Sequence, residues 1–208
     1  MKIIPTIFAK NISQFNERFN KLLKVSKNLQ IDFIDGKFVK SKSVQIREIP
    51  NLKKYKNKFE AHLMTKSPEK YLLQLKQKGF KKIIFHYEST SSPEKVIEKT
   101  KSLHLETWIA INPETKISVV FPYLKKVQGI LVMGVHPGKE HQNLIPSTIK
   151  KIKQLRQKSK IQIQVDGGVN EKTALKLFKA GANYLNSGSF VADSENPKEA
   201  IKKLSKWK

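Results

Sequence analysis

The chain has 208 residues, of which 38% are hydrophobic, with no cysteine and a formal net charge of +24. That length holds one domain with a full core; the lack of cysteine excludes disulfides and thiolate metal sites, and no apolar run is long enough to cross a bilayer. Of the 41 basic residues only Arg18, Arg47 and Arg156 are arginine, and the lysines are spread over nearly every segment, which disfavours a nucleic-acid reader built on bidentate arginine contacts. The field would still draw in anions such as sugar phosphates.

The N-terminal apolar stretch is too short for a secretion signal and runs into Lys10, so the cytoplasm is the expected compartment. From there eight strand candidates alternate with helical patterns. The strands fall at residues 3–8, 30–34, 59–64, 82–86, 106–111, 129–133, 161–165 and 184–186. Phe15, Phe19, Leu22 and Leu23 mark the first helix. Tyr71, Leu72 and Leu75 mark another, stopped by Gly79. Ser92-Pro93 opens one around Val96 and Ile97, Pro146-Ser147 opens one with Ile149, Ile152 and Leu155, and Asn196-Pro197 opens the last. Between 165 and 181, Asn170 is the expected cap and Gly181 the stop of a helix carrying Ala174, Leu175, Leu177 and Phe178. The second and fifth helical slots, 44–52 and 117–124, are weak; the latter is broken by Pro122.

Eight alternating units predict a (β/α)8 barrel or an open doubly wound sheet, as one domain over 1–208. No Gly-x-Gly-x-x-Gly follows the first strand, which argues against a dinucleotide site. Polar residues gather near strand ends. Period two places Gln30, Asp32 and Ile34 on one face of the second strand. His62 lies in Glu60-Ala61-His62-Leu63-Met64, and Asp166 ends the seventh strand before Gly167-Gly168. Two acids and a histidine on different strands of one barrel could converge on a metal ion; each could also be a satisfied core residue or a loop tether. The glycine pairs after the last two strands, Gly167-Gly168 and Gly188-Ser189, suit backbone N–H binding of phosphate, or simple turn geometry.

Pro5-Thr6-Ile7, Asp32–Gly36, His62-Leu63-Met64, Asn112-Pro113, 133–138, 165–169 and Ser187-Gly188-Ser189 occur in the order seen in ribulose-phosphate 3-epimerases, which the chain resembles from Ile3 to about Val191. The resemblance implies a ribulose-phosphate-binding (β/α)8 barrel that inverts C3 of a pentulose 5-phosphate, converting D-ribulose 5-phosphate to D-xylulose 5-phosphate. It implies Asp32 and Asp166 as the two acid/base residues. It also implies one divalent metal ion (zinc, iron, manganese or cobalt) on Asp32, His62 and Asp166. The family's second histidine ligand falls at Gln30, whose amide oxygen would be a weaker ligand. Substrate contacts carried over are Thr6 (Ser in the family), Met64, Met133, Gly138, Gly167, Gly168, Gly188 and Ser189. Ile34 replaces a methionine. The loop Pro137-Gly138-Lys139-Glu140-His141-Gln142 departs from Pro-Gly-Phe-Gly-Gly-Gln, putting a carboxylate where phosphate is expected, with Lys139 and His141 to offset it. His86 and His136 are expected to line the pocket and His104 to lie on the surface. The partner implied is a phosphorylated ketose, and the resemblance is compatible with a homo-oligomer. The alternatives are a ketohexose-phosphate 3-epimerase and a catalytically silent barrel that binds a phosphorylated ligand or a partner.

Overall fold

In the computed structural model, which describes residues 1–206, eight parallel strands pair in chain order and close through β1 and β8. They are β1 (Lys2–Ile7), β2 (Asn28–Ile34), β3 (Lys58–Met64), β4 (Lys82–His86), β5 (Glu106–Ile111), β6 (Gly129–Met133), β7 (Gln162–Asp166) and β8 (Tyr184–Ser187). The helices are α1 (Ile12–Leu23), α2 (Leu72–Lys78), α3 (Pro93–Ser102), α4 (Ser147–Lys158), α5 (Glu171–Ala180), α6 (Ser189–Ala192) and α7 (Pro197–Leu204). The closed barrel excludes the open-sheet alternative.

Alternation decides what each strand sends inward. Ile31 and Phe33 of β2 and Ile83 and Phe85 of β4 point outward into the layer shared with Phe15, Phe19, Leu75, Leu155 and Leu177 of the helices. Each such buried side chain contributes about 1.5–3 kcal/mol. The inward set includes Ile84, Trp108, Ala110, Leu131 and Met133, which pack together inside the barrel. Gly129 is required there, because a Cβ would stand 2.3 Å from the Trp108 ring.

The helix ends follow the sequence. Asn11 caps α1 by accepting from the Gln14 N–H. Asn170 and Thr173 form a reciprocal capping box on α5, and Gly181, at φ 114°, ends it. The two weak slots do not become α-helices. The second holds only a 3-10 turn at Leu52–Lys54, preceded by irregular chain that buries Val44, Ile46 and Ile49; Pro50 lacks the N–H that a helix there would use. The fifth is a 3-10 helix, Ile117–Tyr123, with Pro122 inside it. Among the described residues, every α-helix except α6 carries lysine, and no helix is long and apolar enough to cross a membrane.

Candidate active site

Asp32 on β2 and His62 on β3 are neighbours in strand register, and Asp166 comes from β7 across the barrel. The three meet at one atom: His62 Nδ1 lies 3.1 Å from Asp32 Oδ1 and 3.4 Å from Asp166 Oδ2. His62 is fully buried and the acids nearly so. Burial opposes a charged His62 ring, but its hydrogen bonds to Asp166 and Asp32 and their charges outweigh that cost, lifting its pKa to about 9. Burial raises the Asp32 carboxyl to about 6, with the Asp166 charge adding to the rise, against the lowering by His62 and Gln30. A carboxyl poised there exchanges protons near neutral pH.

Gln30 occupies the fourth corner. Its amide nitrogen donates to Asp32 Oδ1 at 2.9 Å and to Asp166 Oδ2 at 2.6 Å, and lies 3.5 Å from His62 Nδ1. Its oxygen faces the other way, accepting from Asn186.

The other face of His62 meets His86. Their Nε2 atoms are 2.9 Å apart and the rings stack with centroids 5.0 Å apart. His86 is fully buried, with Phe38 over it at 4.8 Å between centroids. It therefore supports His62 from behind and does not line the cavity, contrary to the sequence expectation, because His62 and Phe38 cover it. His86 Nδ1 faces Glu88 Oε2 at 3.6 Å. Burial would raise the Glu88 carboxyl, but His86, Thr115 and the Asn112 N–H hold it below its usual value. Burial and the His62 charge push His86 down. If His62 presents Nδ1 as a lone pair, Nε2 keeps the proton and donates it in a hydrogen bond to His86 Nε2, and the Glu88 carboxylate stands beyond hydrogen-bond distance on the far side of the His86 ring.

Above this cluster opens a cavity of about 440 Å³. Thr6, Met64, Met133, Gly138, Gly167, Gly168, Gly188 and Ser189 all line it, as do Asp32, His62 and Asp166; His136 stands at its rim. Gln30 lies beneath. The Thr6 hydroxyl is buried without a hydrogen-bond partner, so it is free to meet one in the cavity. Gly167 and Gly168 have φ of 94° and 69°, and a Cβ on Gly167 would stand 2.3 Å from Val135 Cγ2. His104 is exposed, as expected.

Glu140 lies against the second glycine loop: a Cβ on Gly188 would be 3.3 Å from its Oε1. Its charge is met by Arg18, whose Nη1 lies 3.0 Å from both carboxylate oxygens and whose Nη2 holds Asp193 at 2.8 Å. His141 pairs with Asp193 instead, at 3.6 Å. Sequence reasoning named Lys139 and His141 for this task and missed Arg18, which is 122 positions away.

Two carboxylates and one imidazole, with ligand atoms all within 4.8 Å of one another, could hold a metal ion. A model of the ribulose-phosphate 3 epimerase family matches residues 2–192. The chain is 31% identical over 209 residues to the ribulose-phosphate 3-epimerase of Schizosaccharomyces pombe, covering 98% of this chain and 92% of that one. It is also 31% identical over 213 residues to the ribulose-phosphate 3-epimerase of Methanocaldococcus jannaschii, covering 98% and 89%. Among solved structures, a tryptophan synthase complex from Pyrococcus furiosus superposes with a TM-score of 0.74 at 15% identity, over 99% of this chain and 98% of that chain. A 3-hexulose-6-phosphate synthase superposes with a TM-score of 0.70 at 14% identity, over 98% of each. At such identities the likeness concerns the barrel alone. The sequence match runs from the first strand past the last, through every strand that feeds the cluster at the barrel mouth, and the chain belongs to the ribulose-phosphate 3-epimerase family.

Proposed function

We propose that this protein is a metal-dependent ribulose-phosphate 3-epimerase, interconverting D-ribulose 5-phosphate and D-xylulose 5-phosphate by two-base proton transfer. The observation that carries it is the meeting of Asp32 and Asp166, from separate strands, on one imidazole at the floor of the cavity. Asp32, His62 and Asp166 would hold the cation, which when bound supplies positive charge to stabilise the enediolate formed between the two proton transfers. One carboxylate takes the C3 proton and the other delivers a proton to the opposite face. Asp32, with its carboxyl near 6, suits either role at neutral pH. The Thr6 hydroxyl offers a hydrogen bond to a sugar oxygen. Met64 and Met133 form apolar walls that keep water from the reacting carbon. The phosphate rests on the Gly167-Gly168 turn and beside Gly188-Ser189, which line the cavity and whose backbone N–H groups suit an anion. One relative, from Oryza sativa subsp. japonica, is named a cytoplasmic isoform, which supports a cytoplasmic enzyme.

The test is an epimerase assay on protein stripped of metal and reloaded with manganese, zinc or iron. Wild-type turnover is expected with at least one of them, and Asp166→Asn, with its metal content measured in parallel, should lose at least ~10²-fold in kcat. A folded, metal-loaded wild type without turnover on either pentulose phosphate would favour the silent barrel that only binds a phosphorylated ligand.

A further inference from the structure

Below the two acids the barrel interior is filled by polar side chains joined in one line, and the direction of every hydrogen bond in it follows from its far end. Burial pulls the Lys82 amine below its usual pKa while the Glu60 carboxylate beside it pulls the other way; paired with that carboxylate as an ammonium, it can only donate. It lies 2.9 Å from Glu60 Oε2, 2.5 Å from Gln164 Oε1, and 3.4 Å above the Trp108 ring. The Gln164 atom that meets Lys82 must be its oxygen, so its NH2 points away. That NH2 faces Glu60 Oε1, Asn186 Oδ1 at 2.6 Å and Gln30 Oε1 at 3.4 Å. Asn186 accepts from Gln164 with its oxygen, so its own NH2 turns to Gln30 Oε1. Gln30 Oε1 thus faces two donors, and only its nitrogen is left for Asp32 and Asp166. Gln30, Gln164 and Asn186 are fully buried, so no water competes for these positions.

We propose that this line, anchored by Lys82, fixes Gln30 as a hydrogen-bond donor that bridges the two acids, and that Gln30 is not a metal ligand. The inference rests on the reading that the site takes a divalent cation, and it assigns that cation to Asp32, His62 and Asp166 alone. To present its oxygen, Gln30 would turn its NH2 against the NH2 groups of Gln164 and Asn186, donor against donor, in a buried site. It would also withdraw a donor from each acid. Gln30, Gln164, Asn186 and Lys82 are positioning residues: they act through the carboxylates.

Two measurements test this without reading turnover. The first is Mn2+ titration of metal-free protein, with free Mn2+ followed by electron paramagnetic resonance. If Gln30 only donates to the acids, Gln30→Met, which keeps the volume and loses both amide atoms, weakens Mn2+ binding by no more than the ~10–100-fold seen when a group that orients a ligand is lost. Weakening well beyond ~100-fold, as expected for loss of a ligand itself, would overturn the proposal. Glu60→Gln/Gln164→Glu, which moves the buried carboxylate to position 164 opposite Lys82 without setting two carboxylates together, should reverse the line, since a carboxylate there accepts from Asn186 Nδ2 and turns the Asn186 oxygen to Gln30. Mn2+ should then bind at least ~10-fold more tightly to that protein than to the same protein carrying Gln30→Met. Equal affinities in those two proteins would overturn the orientation argument. The second measurement needs neither metal nor a Gln164 variant. In metal-free wild type carrying 15N-glutamine and 13C-aspartate, the side-chain NH2 signals lost on Gln30→Met should show scalar coupling across the hydrogen bond to an aspartate carboxyl carbon. Coupling to no aspartate carboxyl would overturn the donor role. An inactive wild type would reject the epimerase reading while leaving both measurements decisive for Gln30.

Discussion

Lys82→Met removes the buried cation and leaves most of the side-chain stem in place. Lys82 is 8% exposed and Glu60 7%, so the carboxylate left behind cannot recover its hydration. Its Oε2 loses the ammonium at 2.9 Å and keeps only the Gln164 amide on its other oxygen. Removing one partner of a buried pair costs about 3–5 kcal/mol, because the survivor is an uncompensated charge. The stacking of Lys82 on Trp108, 3.4 Å from the ring centroid, is lost as well. We expect the variant to lose about 3–5 kcal/mol in urea unfolding at pH 7 with chelator present, with the slope against urea unchanged. Adding Glu60→Gln to Lys82→Met removes the stranded charge and keeps an oxygen for Gln164. The double variant should therefore cost no more than about 2 kcal/mol. A single variant within about 1 kcal/mol of wild type, or a double variant as unstable as the single, would refute the reasoning.

Gly168→Ala should destabilise by roughly 1–3 kcal/mol, because alanine must hold φ near 69° with its Cβ 2.6 Å from Leu144 Cα; thermal unfolding of the folded variant measures it. Arg18→Met exposes the Glu140 charge beside the cavity and should raise KM for the phosphorylated substrate about tenfold with kcat nearly unchanged, and Glu140→Gln in the same protein should restore KM. In chelated protein the His62 ring holds its proton to about pH 9 against 6.5 in the unfolded chain. Its contribution to stability is therefore whole below pH 6.5 and is lost as the pH rises through 9, by at most about 3 kcal/mol. Urea unfolding from pH 6 to 9.5 should show that decline in wild type and not in His62→Asn, and saturating Mn2+ should reverse its sign by binding the deprotonated ring.

The inward face of the barrel was legible wherever alternation met a polar residue near a strand end. Gln30, Asp32, His62 and Asp166 are found that way, and the structure brings them within reach of one another. Lys82 shares the inward parity of His86 on β4, yet in a chain with 41 basic residues a strand lysine reads as one more solvated charge. His86 shows the opposite error: parity gives the direction of a side chain and not what lies over it. The apolar spacing of Val44, Ile46, Ile49 and Leu52 marks buried positions correctly, but irregular chain can bury them as well as a helix, and Pro50 blocks the helix. The Arg18–Glu140 pair joins the first helix to the loop after β6, a contact that only the closed barrel creates.

The layer of a barrel beneath its mouth is usually built from branched apolar side chains, which need no partners. Here that layer is Gln30, Glu60, Lys82, Gln164 and Asn186, and each would be costly if left unpaired. The arrangement is tolerable because its ends are unambiguous. Lys82 can only donate, and the carboxylates Glu60, Asp32 and Asp166, when ionised, can only accept, so the three amides between them have one orientation that satisfies all of them. A network of that kind transmits a change of donor type along its length. Replacing Lys82 with an acceptor would invite Gln164 to turn, then Asn186, then Gln30, and the last turn sets oxygen against carboxylate at the catalytic acids. The residue that anchors the floor of the barrel therefore governs which atom Gln30 shows to the site, and stability and chemistry should fail together when it is lost.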